Sequence, residues 1–265
     1  MRGSPGYPGL VPMRQGRSLR LLFSRSAMTA DSVLQTAVPV RADGMRPDAP
    51  PRLDVGPRHP LAFALTLTGL AGFLDAAAYV RFNHLYVSFM SGNSTHLGIS
   101  LAGWEVPDIL AILGLVCAFV TGAGLGTFIA DHTAKGLLTR VLALESVLLL
   151  LAIGAALAAF PLACVMMIAL AMGLQNVLHH AVGDIDVGRG YVTGMLFSLG
   201  QTVARVPEGK ATWAHARTSL FNWLSFVVGA TAGALGVHGL GFTQCLVIGT
   251  VLIAALLLVA WRTGR

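Results

Sequence analysis

Phe89-Met-Ser-Gly92-Asn-Ser-Thr-His-Leu97-Gly98 recurs 102 positions later as Tyr191-Val-Thr-Gly194-Met-Leu-Phe-Ser-Leu199-Gly200. Further matches keep the same order. Gly72-Phe-Leu-Asp75 returns 101 positions on as Gly173-Leu-Gln-Asn176, Val106-Pro107 as Val206-Pro207, and Gly122 with Gly126 as Gly229 with Gly233. The chain therefore contains two copies of a unit of about 100 residues, repeat 1 over about 61–160 and repeat 2 over about 162–261. What surrounds each copy of the glycine-centred string decides the fold.

The surroundings are apolar. Of 265 residues, 55 % are hydrophobic and 11 % charged, with a mean hydropathy of +0.71. Soluble domains carry about 25 % charged residues, so this chain cannot clothe a water-facing surface. That excludes soluble enzymes and secreted disulfide scaffolds. With about 20 residues per crossing, full spans are predicted at 61–80, 108–130, 139–159, 162–180, 219–238 and 243–261. Two shorter pieces, 86–102 and 191–205, carry the repeated string and read as broken or re-entrant helices. The predicted class is an all-α integral membrane protein with about six transmembrane helices and two short elements.

Parity sets the orientation of the copies. If the short elements do not cross, each copy has three spans and the second is inverted; if they cross, the copies run parallel. With six spans and a cytoplasmic N-terminus, all of the 18 Lys and Arg except Arg81 fall inside. With eight, Lys135, Arg140 and Arg189 move outside, so the inverted arrangement is favoured. The expected location is the inner (plasma) membrane, with both termini cytoplasmic. Nine of the 18 Lys and Arg precede residue 60, in an Arg- and Pro-rich stretch, 1–58, with no helical period. It is expected to be a disordered tail, with a faint likeness to a transit peptide, or to precede a true start at Met28 or Met45. The membrane domain is 59–265. The basic residues follow topology, so no nucleic-acid partner is expected.

The strings Gly72-Phe-Leu-Asp75, Phe89-Met-Ser-Gly-Asn93, Gly173-Leu-Gln-Asn176 and Val192-Thr-Gly194 together resemble the bacterial YoaK family, also described as UPF0700 or DUF1275 membrane proteins. The resemblance covers about 61–261. It implies a multi-span inner-membrane protein and names no activity. Where the first copy has Asn93 the second has Met195, so the paired motif is asymmetric.

Polar residues at membrane depth are the candidates for function. A carboxylate there costs about 3 kcal/mol on insertion scales and needs a partner, a proton or water. Asp75 shares a helical face with Gly72 and Tyr79. It reads as a substrate- or proton-binding group, or as a carboxylate bonded to Arg81 or Tyr79. The matching face of the second copy holds Gly173, Asn176 and His180, beside Gln175; these amides read as ligand contacts or as helix-to-helix bonds. Ser91, Gly92, Asn93 and Thr95, with Thr193 and Gly194, sit where helices are expected to break. In inverted-repeat carriers such ends meet near the midplane and offer dipoles to substrate and ion; the alternative is tight packing.

The remaining features point to bland roles. His179, His180, Asp184 and Asp186 have no standard metal spacing and read as loop charges, while His84 and His96 read as hydrogen-bonded helix residues. Glu145 is expected to snorkel towards Arg140. Cys117, Cys164 and Cys245 read as buried hydrophobes, and no metal or cofactor is expected. The glycine faces 122–126 and 229–236 should pack helices within the chain or across a homodimer. The expectation is a small secondary transporter or permease for a small metabolite, uncharged or cationic to suit a lone Asp75 among amides, coupled to protons and with no enzymatic activity. The alternatives are a non-catalytic membrane partner or sensor and an intramembrane enzyme acting on a lipid.

Overall fold

A computed structural model describes residues 60–133, 135–181 and 192–263, with side chains for 61–133, 135–178 and 192–263. The tail 1–58 lies outside the described residues, as do the side chains of His179, His180, Asp184 and Asp186. Among the described residues there are eight helices and no strand. In chain order they are α1 Pro60–Arg81, α2 Met90–Gly103, α3 Val106–Asp131, α4 Leu137–Leu157, α5 Pro161–Ala181, α6 Val192–Arg205, α7 Trp213–Gly239 and α8 Phe242–Thr263. Six of them are long and apolar enough to cross a membrane. The 14 residues each of α2 and α6 span about 21 Å, short of a hydrocarbon core of about 30 Å.

Local chemistry places the boundaries. Pro60 and Pro161 open α1 and α5, and Pro107 sits in the first turn of α3, positions where a missing N–H costs nothing. Gly136 and Gly241, with φ of 76° and 95°, take the left-handed conformation in the turns before α4 and α8. Helix α7 begins six residues before the predicted span, because Trp213–Thr218 continue its backbone bonds beyond the apolar run. The Val-Pro match is looser than the sequence implies: Val106-Pro107 opens α3, whereas Val206-Pro207 follows α6 in a turn.

The two copies are interlocked by exchange of partners. Helix α1 packs along α7, and α5, the counterpart of α1, packs along α3, the counterpart of α7. Glycine makes both contacts possible. A Cβ on Gly72 would strike the Phe226 carbonyl, and one on Gly173 would strike that of Phe119. From the other side, Gly229 and Gly233 meet the carbonyls of Gly69 and Phe73, while Gly122 and Gly126 meet those of Leu170 and Leu174. The repeated Gly-x3-Gly faces are thus both covered within the chain. This is the intramolecular of the two readings, and it leaves no support for a homodimer built on those glycines. Ser225 and Asn222 add polar contacts across α1–α7, Ser225 donating to the Leu65 carbonyl at 2.7 Å and Asn222 lying beside Thr68.

The same contacts give direction. Gly69 faces Gly229 and Phe73 faces Gly233, so α1 and α7 run parallel; the 122–170 and 126–174 pairs make α3 and α5 parallel. Asn83, two residues beyond α1, donates to Asp108 in the first turn of α3 at 3.3 Å. The chain between them therefore enters and leaves on one side, and α2 does not cross. Helix α3 then opposes α1, and α5 opposes α1 with it. The repeats are inverted, three crossings each.

Candidate functional site

Immediately after α1 the chain reverses through Asn83 and His84, both left-handed at φ of 42° and 64°. Residues 85–89 then run back along the helix they have just left. What holds them there is Asp75, six residues, or about 9 Å, below the end of α1. Its Oδ1 accepts the backbone N–H groups of Val87 and Ser88 at 2.8 and 2.7 Å, and its Oδ2 accepts the Ser88 hydroxyl. The carboxylate is 2 % exposed, and these hydrogen bonds come from the loop, not from Arg81 or Tyr79. Charge-assisted bonds of this kind are about twice as strong as neutral ones.

Asn93 completes the anchor. Fully buried, it donates to the Tyr86 carbonyl at 2.7 Å and accepts the Tyr86 N–H at 3.0 Å. Gly92 has no Cβ because the rings of Phe89 and Tyr86 lie against it. Tyr79 lies between His84 and Tyr86, its ring tilted against both with centroids at 4.7 and 4.9 Å. Burial, helped by Tyr79 and Asp75, pushes the Tyr86 phenol above its ordinary range. His84 is in this turn and not, as expected, in a helix.

The loop delivers Ser88 and Phe89, just ahead of α2, to a cavity of about 40 Å³ at the junction of α1, α5, α6 and α7. That is room for about three water molecules. Thr68 and Ala71 reach it from α1, Met172, Gln175 and Asn176 from α5, Val192 and Met195 from the first turn of α6, and Phe226 from α7. The starts of both short helices therefore meet at one place inside the membrane domain. Gln175 is 2 % exposed and its Nε2 has no hydrogen-bond partner. A buried donor without an acceptor costs about 1–3 kcal/mol, an expense that native structures keep for a reason.

Of the residues singled out by sequence, Gln175 and Asn176 line this cavity. Asp75 lies behind its wall, linked through Ser88. Tyr79, Gly92 and Asn93 build the loop that forms the wall. Ser91 and Thr95 face outward, Thr95 donating to the Ser91 carbonyl one turn back; Thr193 is exposed and Gly194 half-buried in the first turn of α6. Thr68, Ser88 and Met195 are lining residues that the motif reading passed over. Thr68 was findable, since it precedes Asp75 by two helical turns on the same face.

Glu145 corrects an expectation. It does not snorkel: it is fully buried in α4, and neither carboxylate oxygen has a partner. Arg140 donates instead to Thr133. Among the described residues no group of three or more His, Cys, Asp or Glu could hold a metal ion.

The family described as "Protein of unknown function (DUF1275)" matches residues 63–259, from the third residue of the membrane domain's first span almost to the end of α8. No curated protein and no solved structure matches the chain. The match takes in both interlocked repeats, the anchored loop and the cavity, and the chain, with six helices long and apolar enough to cross a membrane, belongs to this DUF1275 family.

Proposed function

We propose that the protein is a small secondary transporter and not an enzyme. In this reading it sits in the inner membrane with both termini cytoplasmic, and the cavity between the short helices is its substrate site. One observation carries the reading: two helix starts converge inside a six-span inverted repeat on a cavity where a buried amide, Gln175, is left without an acceptor. Helix N-termini carry partial positive charge. With Gln175 as a donor that lacks an acceptor, the site favours a small neutral or anionic metabolite bearing an acceptor oxygen; the Thr68 and Ser88 hydroxyls already donate to Asn222 and Asp75 and offer it only lone pairs. Asp75, whose oxygens are occupied by the loop, is a positioning residue in this scheme. A metabolite is larger than three waters, so its passage requires α6 or residues 82–89 to shift.

The test is the melting temperature of the purified chain against a library of small metabolites. A ligand that binds only the folded state raises it by an amount set by concentration over Kd. A hit retained in Ser91→Ala, whose side chain faces away, and lost in Gln175→Ala and Asn176→Ala supports the site. A hit retained in both amide variants moves the site elsewhere. A folded sample with no hits removes the transporter reading.

A further inference from the structure

The pseudo-symmetry that relates α4 to α8 locates the Glu145 side chain. Six of the nine buried positions of α4, Leu138, Val141, Leu142, Glu145, Ser146 and Leu149, match six of the seven of α8, Phe242, Cys245, Leu246, Gly249, Thr250 and Ile253, at a constant shift. The hydroxyls confirm the alignment. Ser146 donates to the Leu142 carbonyl and Thr250 to that of Leu246. Glu145 is therefore the counterpart of Gly249, whose missing Cβ would meet Leu74 at 3.1 Å and Leu70 at 3.5 Å on α1. The counterparts of Leu74 and Leu70 on α5 are Gln175 and Ala171, and α4 does pack on α5. Depth agrees. Glu145 is eight residues, about 12 Å, from one face, and Gln175 is fourteen residues, about 21 Å, from the other. In a core of about 30 Å those levels nearly coincide. Where α8 and α1 pair a glycine with leucine, the corresponding places on α4 and α5 hold the Glu145 carboxyl and the cavity-lining Gln175 amide, with no hydrogen bond between the two.

A carboxylate that is fully buried, without a donor or a cation, carries a desolvation cost that only a bound proton or positive ion removes. Charged partners are absent from the sequences that pack on it. Helix α5 has no Asp, Glu, Lys or Arg; Asp108 and Asp131 lie at the ends of α3, and Arg262 in the last turn of α8. The titratable groups nearest its level on the neighbouring helices are His179 and His180, about one turn beyond Gln175; the thiols Cys164 and Cys245 lie in the first turns of α5 and α8, towards the opposite face. The two Glu145 oxygens with the Gln175 amide oxygen would make a poor metal cage, since hard cations take six or more.

We infer that Glu145 is a membrane-embedded proton-binding site, reached by water from the cavity through Gln175. Its use in coupling rests on the transporter reading; its binding of a proton does not. The test uses the full chain in detergent with dicyclohexylcarbodiimide, an apolar reagent that adds to protonated carboxylic acids and leaves a stable N-acylurea. Peptide mass mapping should find the adduct on Glu145, falling at least tenfold as pH rises from about 5 to 9, unchanged by Na⁺ and absent in Glu145→Gln. Asp75, with both oxygens bonded, should stay unlabelled. Failure to label Glu145 in a folded sample overturns the proposal, as does protection by Na⁺ or K⁺ at fixed pH, which would assign the site to a metal cation. Labelling as expected, with no metabolite raising the melting temperature, would keep the proton site and remove the transporter.

Discussion

The first repeat fastens its re-entrant segment through two side chains that the second repeat replaces. Asp75 and Asn93 together make five hydrogen bonds to residues 86–88. The corresponding positions of the second repeat hold Asn176, an amide that lines the cavity, and Met195, which can accept only weakly. One ancestral arrangement thus yields a fixed wall on one side and the chemically open face on the other. Identical halves would put either two anchors or two sites at the same junction. Divergence at two positions separates those duties.

Substitutions can break the comparison. The largest effect is expected where the halves agree. Gly173→Val and its counterpart Gly72→Val each drive a side chain into backbone of the partner helix, and both should cost 3 kcal/mol or more. Gly124→Val, with open space around it, should leave the melting temperature unchanged; equal losses at all three would refute the interlock. Next comes Asp75→Asn, which swaps one acceptor oxygen for a donor that opposes the Ser88 hydroxyl. It should lower stability by about 2–3 kcal/mol, and Asn176→Ala by less than about 1 kcal/mol, read from denaturation in detergent. Equal losses would mean the second half is anchored as firmly. Asn93→Ala should cost about 1–2 kcal/mol and speed proteolysis within 82–89. The smallest effect belongs to Gln175→Leu, which removes an unpartnered donor; stability should change by under about 1 kcal/mol or rise slightly, while any cavity ligand is lost.

The architecture was largely legible from residues because it rests on run length and parity. Six long apolar runs, two short ones and a repeated string suffice to predict six crossings and inversion. The partner exchange was not legible: nothing in a local window tells α1 that it will pack on α7 more than 130 residues later. At the site, Gln175 and Asn176 stood out as amides at membrane depth. Thr95 satisfies its hydroxyl on the Ser91 carbonyl one turn back, and Ser91 and Thr193 face outward; sequence does not fix which way a helix is rotated. Asp75 was recognised, but its duty depends on the reversal at Asn83 and His84, which carries no glycine or proline signal. Glu145 was drawn to Arg140 by nearness in sequence. Five residues on a helix leave two side chains about 140° apart, on different faces.

The exchange of partners also governs how the chain is made. A helix that leaves the ribosome early normally finds its neighbour within the next few dozen residues, as the hairpins α4–α5 and α7–α8 do. Helix α1 cannot. Its Gly69 and Gly72 face stays unmatched until α7 is synthesised, with α3, α4 and α5 inserted in between. The first half therefore waits in the bilayer as an open-faced intermediate, and neither half can close its own helix interfaces alone. Truncation between the repeats should release two fragments that are unstable separately and complement when co-expressed. Duplication followed by swapping thus makes the pair a single cooperative unit whose assembly finishes only near the end of translation.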